Sequence, residues 1–108
     1  MLASGINSLV KAELLCLFYD NPSTVDTAHG LALRLGREEA TVAGECEELV
    51  GARYLRAVGI GRTRSFSLAG DRSRLTVCAR IRRLLRDKNL RLVFIARLVK
   101  QGGSKSRP

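Results

Sequence analysis

Arginine is the residue type in this chain with the clearest chemistry to offer. Residues 1–52 carry three basic and eight acidic side chains (−5), whereas residues 53–108 carry sixteen basic and two acidic (+14), giving the net +9. Guanidinium groups are permanent cations whose planar donors suit phosphate oxygens. Such asymmetry points to a polyanionic partner, with nucleic acid first and an acidic membrane surface second. The bland alternative is a solvated basic helix with no partner. Other chemistry is thinly represented. His29 is the only histidine and has no Cys, Asp or His at ligand spacing, so it reads as a solvated surface residue. Cys16, Cys46 and Cys78 are odd in number and widely spaced, without CxxC or metal-ligand spacing. Each falls on an apolar helical position, which makes core packing their expected role, and unpaired thiols fit a reducing cytoplasm. Gly59-Ile60-Gly61 is too short for a nucleotide-binding fingerprint. With no nucleophile elbow and no phosphate-cradling loop, the expectation is a binding protein and not an enzyme, with no cofactor and no metal.

At 108 residues the chain is long enough for one core, burying roughly 60–70% of its unfolded surface without disulfides or metals. Aromatics are few and Trp is absent, which argues against a base-stacking platform. The N-terminus lacks a basic leader, and Lys11 and Glu13 interrupt its first apolar run, so no signal peptide is expected. No apolar stretch approaches the length of a membrane span. A small soluble cytoplasmic protein is the resulting expectation.

The elements follow from periodicity. Asn7 or Ser8 can cap a first helix with Val10, Leu14, Leu17 and Phe18 on its apolar face, ended by Asp20-Asn21-Pro22-Ser23. Val25 is expected to make a one-residue strand contact. A second helix starts at Asp26 or Thr27 and stops at Gly36, a good left-handed terminator. From Gly36 to Tyr54 the apolar Val42, Cys46, Leu49 and Val50 share a face, leaving Thr41, Gly44, Glu45 and Glu48 outward. The period then changes to two: Tyr54–Val58 and Thr63–Leu68 alternate as half-buried strands around a turn for which Gly59 and Gly61 supply the backbone freedom. Asp71 or Ser73 can cap a last helical block, either one bent helix or two with a break at Asp87-Lys88-Asn89.

A helix running into a two-stranded ribbon tipped with Arg62 and Arg64 resembles the recognition helix and wing of winged helix-turn-helix regulators of the MarR and ArsR type. The string TAHGLALRLG followed by REEATV is similar to their helix-turn-helix core, with Ala32, Leu35 and Gly36 in the packing and turn positions. The resemblance implies a mainly α fold with a small β-hairpin and a winged helix-turn-helix domain over 1–70, while the apolar helical block beyond it is expected to form a C-terminal dimerisation region over 71–101 and the apolar-free end a flexible basic tail over 102–108. It implies a transcription regulator binding double-stranded DNA as a homodimer. Arg37, Thr41, Arg56, Arg62, Thr63 and Arg64 are then the candidate DNA contacts. Leu75, Cys78, Ile81, Leu85, Leu92, Ile95 and Val99 form a heptad-like seam expected at the dimer interface.

One feature departs from that family. Between Arg37 and Arg53 stand Glu38, Glu39, Glu45, Glu47 and Glu48, where groove-facing donors are the rule. Glu38 and Glu39 suit a helix first turn. Glu45 and Glu48 are expected to face the groove and oppose phosphates. The alternative function is therefore a winged-helix module whose acidic third helix contacts a protein partner.

Overall fold

The computed structural model describes residues 6–106, with side chains as far as Val99. Its elements run α1 (Leu9–Asp20), β1 (Val25–Thr27), α2 (Ala28–Leu35), α3 (Glu39–Gly51), β2 (Leu55–Val58), β3 (Ser65–Leu68), α4 (Arg72–Arg86) and α5 (Lys88–Ser106). The fold is mainly helical with a small antiparallel sheet, an order compatible with a winged helix.

Local chemistry sets most boundaries. The Ser8 hydroxyl accepts from the Lys11 amide at 3.1 Å to cap α1, and Thr27 accepts from the Gly30 amide at 3.2 Å to cap α2. Gly36 closes α2 at φ 66, a left-handed conformation that glycine adopts without a Cβ penalty. Asp71 caps α4 by accepting from the Arg74 amide at 3.0 Å. The last block is two helices: Asp87, at ψ 119, leaves the helical region, and its carboxylate accepts from the Asn89 and Leu90 amides to start α5.

The sheet order is β1-β3-β2, with β3 central. Ala57 pairs with Phe66 and Leu55 with Leu68, while Val25, Asp26 and Thr27 pair with Ser67, Phe66 and Ser65. The contact expected at Val25 alone is thus a three-residue strand. Strand alternation puts Leu55 and Phe66 inward, where they meet Leu14, Leu15 and Phe18 of α1, Leu31 of α2, and Val42, Cys46 and Leu49 of α3. Full burial of each large side chain contributes roughly 1.5–3 kcal/mol.

α4 lies against α1, and α5 folds back on α4. That packing corrects the expected dimer seam. Cys78 and Ile81 are 0% and 2% exposed inside the chain's own core, Leu75, Leu85 and Ile95 are half-buried, and only Leu92 and Val99 stand open. A heptad spacing marks an apolar stripe but not which chain covers it, and here α1 covers the α4 part. α5 buries Phe94 and Leu98 and leaves Leu90, Leu92, Val93 and Val99 exposed. Its helix continues to Ser106, through much of the stretch expected as a tail; residues 107–108 lie outside the described residues.

Candidate nucleic-acid interface

The third helix is less acidic to its surroundings than its composition. Lys11 of α1 is 2% exposed, yet it is charged, because α3 lies across it. Its ammonium donates to Glu48 Oε1 at 2.5 Å and to Asn7 Oδ1 at 2.6 Å, and lies 2.8 Å from Glu45 Oε1. Glu45 also accepts from the Ser8 hydroxyl at 2.8 Å. Burial alone would lower the lysine pKa, but hydrogen bonds and charge from Glu45 and Glu48 outweigh it, so it stands above its ordinary 10.5. Glu45 therefore turns toward α1, contrary to the outward position expected for it. A helical-wheel reading treats any polar residue as outward, and it cannot see a cation buried on the neighbouring helix.

Arg37 and Arg64 are likewise engaged. Arg37 holds Glu13 of α1 in a two-point pair, Nε to Oε1 at 3.0 Å and Nη2 to Oε2 at 2.8 Å. Arg64 holds Glu47 the same way at 2.5 and 2.9 Å and donates to the Gly59 carbonyl at 3.0 Å, tying the hairpin turn to α3. Hydrogen bonding from Arg64 keeps the Glu47 carboxyl below its ordinary 4.5. Arg64 also lies over the Phe66 ring, 5.8 Å from its centroid. Thr41 donates to Glu38 at 3.1 Å and Thr63 to the Ile60 carbonyl at 3.0 Å, so both hydroxyls serve local structure.

Arg56 and Arg62 differ. Both are exposed, Arg56 on the outer face of β2 and Arg62 in the turn, and neither has a carboxylate within ion-pair distance among the described residues. Of the six candidate DNA contacts, then, these two present unneutralised guanidinium groups. A third, unforeseen from sequence, is Arg53. It is exposed at the end of α3 with φ 69, the one non-glycine residue in the left-handed region among those described. The first residues of α4 abut Arg53 across a shallow depression lined by Gly51, Ala52, Tyr54, Ser73, Arg74 and Val77.

Comparison with family models, curated proteins and solved structures finds no match.

α4 divides its arginines by duty. Arg74 donates to the Ala52 carbonyl at 2.8 Å and covers the Tyr54 ring, and Arg82 pairs with Asp20 beside Tyr19, so both fasten α4 to the body. Arg72, Arg80 and Arg83 are exposed on one side, at spacings of eight and three. No described cluster of three or more His, Cys, Asp or Glu side chains could hold a metal. His29 Nδ1 lies 3.0 Å from Glu39 Oε1, a surface pair beside the hairpin turn. Burial raises the thiols of Cys16 and Cys78 to about 11 and of Cys46 to about 12, which keeps them protonated and unreactive. No described helix is long and apolar enough to cross a membrane.

Proposed function

We propose that this chain is a cytoplasmic winged-helix regulator of transcription that binds duplex DNA as a homodimer, holding it mainly by phosphate contacts. One observation carries the reading: the carboxylates of α1 and α3 are largely consumed by Lys11, Arg37 and Arg64, while Arg53, Arg56, Arg62 and the outer arginines of α4 have no such partner among the described residues. The positive charge left without a partner is thus concentrated on Arg53, the hairpin and α4. Leu92, Val93 and Val99 on α5 offer the apolar surface for the second copy, in place of the longer seam. The protein-contact alternative draws less support, since it needs a face of free carboxylates and Glu45 and Glu47 are already paired.

Fluorescence anisotropy of labelled random-sequence duplex against salt tests the proposal. Log affinity should fall by about 0.9 per neutralised phosphate for each unit of log salt. Absence of salt-dependent binding at low ionic strength would remove it.

A further inference from the structure

The hairpin turn combines a rigid backbone with a side chain that nothing in the fold uses. Ile60 is 83% exposed, more than any other large apolar side chain among the described residues, and Val58 beside it is 69% exposed. Isoleucine at a solvent-facing turn contributes no burial to folding. The turn is nevertheless fixed. Gly59 and Gly61 take φ 91 and φ 60, and a Cβ at Gly59 would lie 3.2 Å from the Thr63 carbonyl oxygen. The Ile60 carbonyl accepts from Thr63 and the Gly59 carbonyl from Arg64, whose other donors are clamped on Glu47. The Arg64 amide closes on the Gly61 carbonyl at 3.2 Å and Ser65 donates to the Thr63 carbonyl at 3.1 Å. Arg56 precedes this apolar point by four residues on β2 and Arg62 follows it by two in the turn, both exposed.

We propose that the turn is a wedge for duplex DNA: Ile60 enters from the minor groove at a deformable pyrimidine–purine step, parting two base pairs, while Arg62 and Arg56 hold the phosphates on either side. This rests on the DNA-binding reading and adds a residue and a mode of recognition to it. An apolar side chain inserted at a base step has to be held rigidly, since its role is to resist restacking, and the hydrogen bonds around Gly59 and Ile60 supply that rigidity. The flanking guanidinium groups match the phosphate charge, and TA or CA steps unstack at the lowest cost. Two aliphatic side chains on a narrow turn suit one base step; a lipid surface calls for a broad amphipathic face. The consequence is sequence preference at a position where no hydrogen bond to a base is made.

The test uses the full chain and a duplex with a central TpA step next to a fluorescent adenine analogue that brightens on unstacking. Wild type should brighten the analogue, and replacing TpA with a stiff ApA step should weaken binding roughly tenfold, the scale of a single specific base-pair position. Ile60→Ala should abolish the brightening and the step preference while keeping salt-dependent binding; unchanged thermal unfolding verifies its fold. Arg62→Ala should weaken both duplexes equally and leave the step preference. Binding without brightening, or brightening that survives Ile60→Ala, overturns the wedge and leaves the DNA reading standing. Failure to bind either duplex at low salt, with Ile60-dependent association to phosphatidylserine vesicles in its place, overturns both.

Discussion

The interface of α1 with α3 and the set of exposed arginines on Arg53, the hairpin and α4 are both rich in charge, yet they use it in opposite ways. In the first, Asn7, Ser8, Glu45 and Glu48 gather around the buried Lys11, with Asn7 and Glu48 at the exposed edge, and Arg37 and Glu13 add a second pair. Its charges face each other, and each cation there has at least one carboxylate partner. In the second, Arg53, Arg56, Arg62, Arg72, Arg80 and Arg83 are exposed without carboxylate partners among the described residues. The difference teaches that composition fixes only the sum of the charges, while pairing decides where a field is left over for a partner.

The largest break in this comparison comes from the buried cation. Lys11→Met removes the charge that Glu45 and Glu48 share, and breaking such a pair from one side should cost about 2–3 kcal/mol, moderated by the solvent access of Glu48. Urea denaturation reads the loss, and adding Glu45→Gln should restore about 1 kcal/mol or more by removing the stranded carboxylate. The sign with pH follows from the raised lysine pKa. The contribution is complete below the unfolded value near 10.5 and is lost as pH rises through the higher folded value, so neutral and acidic solutions leave it intact.

Arg53 sharpens the comparison from the other side, because it holds a charge at a backbone position that favours glycine. Arg53→Gly should raise stability by about 1 kcal/mol, since left-handed torsions cost a Cβ-bearing residue that order of energy. The same change should lower DNA affinity and flatten its salt slope by about 0.9 per chain. A variant that gains stability and keeps the slope would place Arg53 outside the interface.

Two smaller effects complete the contrast. Glu47 should titrate below 4.5 by carbon-detected NMR and move up toward it in Arg64→Ala, because the arginine hydrogen bond is what lowers it. Its depressed pKa stabilises the fold above the ordinary value, and that contribution is lost as pH falls through the folded one. The three thiols should react slowly with a disulfide reagent at neutral pH and become reactive on unfolding, since burial raises all of them to about 11 or 12.

Local patterns carried most of the fold. Helix caps at Ser8, Thr27 and Asp71, the stop at Gly36, and the change from helical to alternating period near Tyr54 were legible because each depends on neighbours a few residues away. The site was less so. Glu45 and Glu48 stand 34 and 37 positions from Lys11, and Glu47 stands 17 from Arg64; no local pattern announces such pairs. Arg37, Thr41, Thr63 and Arg64 have the right side chains for DNA, but the structure engages each of them internally, whereas Arg56 and Arg62 remain open. Cys78 and Ile81 leave the expected seam for the same reason, since they satisfy a heptad whether the covering helix is α1 or a second chain.

If unpaired arginines, and not paired ones, meet the proposed DNA, one pair of variants separates the two kinds. The slope of log affinity against log salt would be measured for Arg37→Ala and for Arg56→Ala with Arg62→Ala, on the same random-sequence duplex. Arg37→Ala should leave the slope within error of wild type, because its guanidinium is held by Glu13, whereas the double change should flatten it by about 1.8 per chain. Equal flattening per arginine in both variants, or none in the double change, would mean that pairing does not decide which arginines meet DNA.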